Sequence, residues 1–159
     1  MPKYSMTRKV PYSVDQVFAI AADVEQYKRF LPLVKRSIVR SKEMMPDGRE
    51  TMDAELSVTY KKLGIEEKLQ STVIVDKANR KISASSAQGP VKRLEAEWII
   101  TETEPGSSDI TFNVDYELKS KTLQFVLSGM FDMMVRKVMG AFETRARELY
   151  GKAGAKADV

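Results

Sequence analysis

Apolar and polar residues alternate along most of the first 118 positions, after which a spacing of three to four takes over. Tyr4, Met6 and Val10 alternate with Lys3, Ser5, Thr7 and Lys9. This predicts a strand over 3–10, with Arg8 breaking its apolar face, and Pro11 ends it. Ser13 and Gln16 stand at capping-box spacing, so a helix starts near Val14, with Val14, Val17, Phe18 and Ala21 as its apolar stripe. Asp23 and Gln26 repeat the spacing and predict a second short helix through Tyr27 and Phe30, which Pro32 stops.

A strand is expected at about 34–42, then a turn at Pro46-Asp47-Gly48. Over 50–60, Met52, Ala54, Leu56, Val58 and Tyr60 alternate strictly with polar residues. The next strand, 65–76, has Ile65, Leu69, Val73 and Val75 on one face. A turn at Ala78-Asn79-Arg80 leads to a strand near 81–87, and Gly89-Pro90 punctuates the chain. Leu94, Ala96, Trp98 and Ile100 share one face of a strand at 92–104. Pro105-Gly106-Ser107-Ser108 reads as a turn, and Ile110, Phe112, Val114, Tyr116 and Leu118 share a face of the last strand.

Residues 121–150 read as one helix, with an apolar stripe at Leu123, Leu127, Phe131, Met134, Val138, Phe142, Ala146 and Leu149. No charge occurs from Thr122 to Phe131, and Val126, Met130 and Met133 are apolar although they lie off that stripe. Arg145, Arg147 and Glu148 are expected on the outside of its rear half. Six or seven strands joined by short turns form an antiparallel meander with one wet and one buried face. The long helix, roughly 45 Å at 1.5 Å per residue, covers the buried face. The class is α+β, in a single domain over 1–151, with 152–159 as a frayed tail without periodicity.

The inward face carries small residues at Ala54, Ser71, Ala84, Ser86 and Ala96. Interiors pack densely, so small residues either receive a large neighbour from the helix or leave space for an oily ligand. The acids Asp53, Glu55, Asp115 and Glu117 fall on the opposite face and read as solvated surface. Composition narrows the chemistry. The 159 residues include neither cysteine nor histidine. That removes disulfides, thiol nucleophiles, the Ser–His–Asp triad and the usual zinc ligands. No phosphate loop, metal box or dinucleotide fingerprint occurs, and neither a catalytic nor a metal-binding set is expected. The net charge of +4 suits an anionic membrane surface or RNA without choosing between them. The basic pairs Lys28-Arg29, Lys35-Arg36, Lys61-Lys62, Arg80-Lys81 and Lys92-Arg93 sit near element ends. With no signal-like N-terminus and no membrane-length apolar run, the expected place is the cytoplasm, with peripheral contact to the inner membrane left open.

The order of elements resembles the helix-grip fold of START-like lipid-binding and polyketide-cyclase-like proteins. Local features are similar to the coenzyme Q-binding protein family: Pro11-Tyr12-Ser13, Asp23-Val24 leading to Tyr27 and Phe30-Leu31-Pro32, Gly89-Pro90-Val91-Lys92-Arg93-Leu94 with Trp98 after it, and Phe142-Glu143-Arg145-Ala146. The resemblance spans about residues 3–151. It implies a non-enzymatic binder of ubiquinone or a similar polyprenyl lipid, without a catalytic cofactor, that supports respiration. Bacterial relatives described as ribosome-association toxins keep a ribosome contact open beside the hydrophobic small molecule; DNA is not an expected partner. Leu33 and Val91 depart from the family, whose members often carry Trp or Cys at the first position and an aromatic at the second.

The expected ligand-binding residues are Phe30, Leu31, Pro32, Tyr60, Ala84, Trp98, Phe112, Leu123, Leu127, Met130, Phe131, Met134 and Val138. Gly89, Pro90, Val91, Val126 and Met133 are expected at the entrance or membrane edge. Each also has a plain structural explanation: a turn for Gly89-Pro90, a helix stop with buried anchors for Phe30-Leu31-Pro32, and core for Trp98.

Overall fold

Seven alternating segments pair into one antiparallel sheet. The computed structural model describes residues 3–60, 64–87, 89 and 91–151. The elements run β1 (Lys3–Val10), α1 (Val14–Ala22), a 3-10 turn (Val24–Gln26), α2 (Tyr27–Phe30), β2 (Val34–Met44), β3 (Glu50–Tyr60), β4 (Ile65–Asp76), β5 (Lys81–Ser86), β6 (Val91–Glu104), β7 (Ser107–Leu118) and α3 (Lys121–Tyr150). The sheet order is β1-β7-β6-β5-β4-β3-β2. Short turns make β2 to β7 neighbours in both sequence and space, while β1 closes the far edge against β7. Gly48 (φ 93°) and Gly106 (φ 81°) supply the left-handed backbone of two of the turns. Ser107 and Ser108, expected in the turn, already belong to β7. The Ser108 hydroxyl is fully buried and donates to the Tyr12 carbonyl at 2.8 Å, which holds the residue in the ladder.

The capping box of α1 is complete: the Gln16 amide donates to Ser13 Oγ and the Ser13 amide to Gln16 Oε1. The second predicted capping pair is different. Asp23 makes no side-chain cap, because its own N–H is bonded back to the Ile20 carbonyl and ends α1. A 3-10 turn follows, so no α-helical N-terminus exists there to be capped.

The closed core lies between α1, the rear of α3 and the sheet. Val75, Ile82, Trp98, Ile100 and Ile110 meet Val135, Met139, Phe142 and Ala146. The buried line of α3 is thus rotated from the expected stripe. Met134 and Val138 are half-buried flanks and Leu149 is 49% exposed. The helix lies across α1 and the β1–β7 edge rather than along the middle of the sheet, which turns its contact face. Arg145, expected outside, is largely covered and its guanidinium sits 5.5 Å from the Phe30 ring centre. Arg8 does face inward and reaches Glu143 of α3 at 3.5 Å. Among the described residues, no helix is long and apolar enough to cross a membrane.

Candidate functional site

Strand register brings the small inward residues together. Ala54 pairs with Ser71, Ala84 with both Val73 and Ala96, and Ala96 with Val114. A low path therefore crosses the middle of the sheet, where the backbone of α3 approaches β3, β4 and β5 less closely than it does β7 and β1. The interior is closed at the α1 end and incompletely covered at the other. There Leu56, Leu69, Ala84, Leu94, Ala96 and Phe112 on the sheet are only half-buried although they face inward. Phe131, Met134 and Val138 on α3 are half-buried in the same way. Half-covered apolar side chains thus stand on both the sheet and α3 at this end.

The front half of α3 is held by a second, smaller cluster. Leu123, Leu127 and Phe131 pack on Val91, Val114, Tyr116 and Leu118. Phe131 stacks on Tyr116 at 4.8 Å and meets Tyr4 edge-on at 5.4 Å. Tyr116 Oη lies 3.2 Å from Ser128 Oγ, and the Leu118 amide donates to Gln124 Oε1 at 2.6 Å. Ser120 caps the helix by accepting from the Leu123 amide. On the outer side, the Tyr4 hydroxyl donates to Asp132, which also pairs with Arg136 at 2.8 Å. These two hydrogen bonds hold the Asp132 carboxyl below the usual carboxylate range. Desolvation first, and then Asp132, hold the Tyr4 phenol above its ordinary value.

The expected site residues fall into three groups. Leu123, Leu127, Phe131 and Phe112 come together with Ala84 along the half-covered surfaces, and Met130, Met134 and Val138 flank them on α3. Trp98 belongs to the closed core, and Phe30 and Leu31 pack half-buried against it while also lining the groove between α2 and α3. The Phe30 ring is fixed edge-on to Phe142 at 5.4 Å, and Trp98 lies 4.3 Å from Phe112 and 4.7 Å from Phe142. Pro32 lines that groove with Phe30 and Leu31. At the expected entrance, Met133 is exposed and Val126 half-buried. Val91, expected at the rim, is instead buried in the second cluster because β6 begins one residue earlier and pairs it with Leu118. Gly89 adopts φ 68° with its missing Cβ position 3.2 Å from the Lys68 carbonyl, a close approach that favours glycine. Pro90 lies outside the described residues, as does the 152–159 tail, and the Tyr60 side chain is likewise undescribed.

Leu56, Leu69, Leu94 and Tyr116 join these surfaces without having been singled out. Their alternation already placed each on the inward face; the missing information was register, which decides who stands beside whom. Leu33, the departure noted after Pro32, has φ 72°, a left-handed backbone that is uncommon for a side chain of this size. The Thr59 amide donates to its carbonyl at 2.8 Å, tying the α2–β2 link to the end of β3 beside the half-covered surfaces.

Three comparisons bear on this geometry. Residues 10–143 match the family described as polyketide cyclase / dehydrase and lipid transport. The chain is 31% identical to the ribosome association toxin RatA of Escherichia coli (strain K12), over 94% of this chain and 90% of that protein. It is 29% identical to the mitochondrial coenzyme Q-binding protein COQ10 homolog B of Xenopus laevis, over 94% of this chain and 60% of that protein. Among solved structures, a START superfamily protein from Mycobacterium smegmatis superposes with a TM-score of 0.79 at 21% identity, covering 92% of this chain and 98% of that one. The α+β helix-grip architecture is therefore that of the START-like fold.

Proposed function

The chain belongs to the polyketide cyclase / dehydrase and lipid transport family, and on that premise we propose that it binds a polyprenyl quinone, ubiquinone in particular, between α3 and the sheet without transforming it, in support of respiratory electron transport. The observation that carries the reading is the pair of facing apolar surfaces, Leu56, Leu69, Leu94 and Phe112 against Phe131, Met134 and Val138, each left half-covered. The relative named for coenzyme Q binding supports it. Burying about 200 Å² of quinone and isoprene surface there would stabilise the complex by roughly 5 kcal/mol. Binding without chemistry is supported by the inward polar groups. Ser86 already donates to the Gln70 carbonyl at 2.6 Å and Tyr116 is engaged with Ser128. General acid–base work would ask for a carboxylate or amine in that desolvated space.

Mass spectrometry of the protein purified without detergent tests the reading: quinone should co-purify or bind on addition. Leu127→Asp and Phe131→Asp, each placing a charge on the apolar wall, should lower affinity for added ubiquinone about a hundredfold or more. Absence of quinone in repeated preparations together with no binding on addition would sink the proposal.

A second reading has its own support in the 31% identity to the ribosome association toxin. On it, the chain is an interaction protein whose basic residues meet ribosomal phosphates. It predicts salt-sensitive co-sedimentation with ribosomal subunits that survives Leu127→Asp. A cyclase-like activity ranks below both, because Ser71, Ser86 and Tyr116 are the main polar groups on the inward face.

A further inference from the structure

Positions 121, 125, 129, 133 and 137 of α3 are Lys, Phe, Gly, Met and Lys, and all five are exposed. Successive members are four residues apart, so they form one exposed ridge about 24 Å long at 1.5 Å per residue. The ridge drifts about 40° per step, which sets Phe125 and Met133 about 40° to either side of Gly129, with the two lysines at its flanks. Phe125 is 82% exposed and Met133 44%, the two large apolar side chains that α3 leaves most open to solvent in its front half. Gly129 between them meets nothing within 4 Å at its Cβ position. The ends of the line are cationic. Lys119 adjoins Lys121, and Lys137 shares the α2–α3 groove with Lys28 and Arg29. Among the described residues none of these five cations has an ion-pair partner. The nearby acids are already engaged: Asp132 by Arg136 and Tyr4, Glu148 by Arg145.

We propose that this line docks the protein on an anionic lipid bilayer, Phe125 and Met133 entering the headgroup–acyl boundary while the flanking cations meet lipid phosphates. The charge complementarity is specific in kind. Unpaired cations alone would suit RNA equally, but RNA offers no apolar layer for Phe125 and Met133 to enter. Lysines at both ends of the line have the reach to snorkel to headgroups while the centre sinks. Val126 and Met130 lie between this line and the half-covered interior surfaces, so a docked bilayer would face the opening directly. That last point rests on the quinone reading; the docking itself does not, and is measured without quinone.

The test is co-sedimentation of the full chain with vesicles of phosphatidylcholine alone or mixed with phosphatidylglycerol. Binding should appear with the anionic vesicles, weaken as salt rises, and fall at least tenfold for Phe125→Ser/Met133→Ser. Lys121→Gln and Lys137→Gln should each weaken it about fivefold. The chain has no cysteine, so Phe125→Cys carries one polarity-sensitive fluorophore, whose emission should shift to the blue on anionic vesicles. Affinity for a water-soluble ubiquinone with two isoprene units should be unchanged in the single variant Phe125→Ser, which separates failure of docking from failure of the groove. The proposal is overturned if the wild-type chain ignores anionic vesicles. It is overturned equally if the double serine variant binds them as well as the parent, or if changes along the line abolish ribosome co-sedimentation while vesicle binding persists.

Discussion

Tyr27 shows what a single side chain contributes here. Sequence placed it in the short second helix, and it is buried, packed near Phe30 and Phe142. Its hydroxyl donates to the Ala21 carbonyl, joining α2 to the end of α1. Burial pushes the phenol well above its ordinary value. The neutral form is therefore favoured in the folded state. Its contribution is complete below the unfolded phenol pKa of about 10 and is lost as pH rises beyond it. Tyr27→Phe should cost about 1 kcal/mol at pH 7 through the lost hydrogen bond. It should also flatten the decline in stability above pH ~10; urea melts of both proteins at pH 8 and 10.5 would show whether the slopes differ. Glu55 was illegible in the opposite way. Alternation puts it on the wet face, yet it is only 7% exposed and Arg40 of β2 holds it at 2.9 Å. That hydrogen bond, foremost, keeps its carboxyl below the usual range. A residue's face follows from period two, but the neighbour that covers it follows from register.

At the scale of elements, α3 was readable in extent and unreadable in phase. Its cap at Ser120 and its end at Gly151 frame Lys121–Tyr150, the span expected from periodicity. The buried line nevertheless runs through Val135 and Met139 rather than Met134 and Val138, because the helix leans on α1 and the β1–β7 edge. Two apolar rows one residue apart cannot be ranked by hydrophobicity alone. Two methionines on the same helix make the distinction measurable. Met139 has no exposed surface, and Met139→Ala should cost about 2–5 kcal/mol. Met133→Ala removes a side chain that is 44% exposed and should stay within about 0.5 kcal/mol. Equal losses in denaturant melts would refute this account of the helix. The candidate site inherits the same difficulty. Its α3 members Leu123, Leu127 and Phe131 were legible because they fall on both the expected and the observed faces, whereas Val91 and Trp98 are packed more deeply than a rim or a wall residue would be.

For the whole molecule, the strand sequence and the long helix α3 were legible because most turns carry their own punctuation and most strands their own alternation. The low path of small residues was legible only in part, since it exists across strands and not along any one of them. Composition adds a property that no element shows by itself. With no histidine or cysteine, side-chain titration clusters at the two ends of the pH scale. The carboxyls of Asp47, Glu55, Asp76, Glu97, Asp115 and Asp132 sit below their ordinary range. What they contribute is present above the unfolded carboxylate pKa of about 4 and is lost as pH falls through their lowered values. The phenols of Tyr4, Tyr27 and Tyr150 are raised and act only at alkaline pH. Stability should therefore be level from about pH 5 to pH 9. Calorimetry across that range should find the Tm constant to about 3 °C; a step centred near pH 6.5 would contradict it.

The pairing of β1 with β7 also sets an order of events. Lys3 meets Asp115 and Val10 meets Ser108, so β1 is separated by roughly a hundred residues from the strand it pairs with. The hairpins from β2 to β7 close over short loops, whereas this pair carries the loop-closure entropy of roughly a hundred residues. On a translating ribosome, the strand bearing Tyr4 and Met6 has no partner until β7 has emerged, and no cover until α3 follows. The sheet is therefore sealed last at the β1 edge.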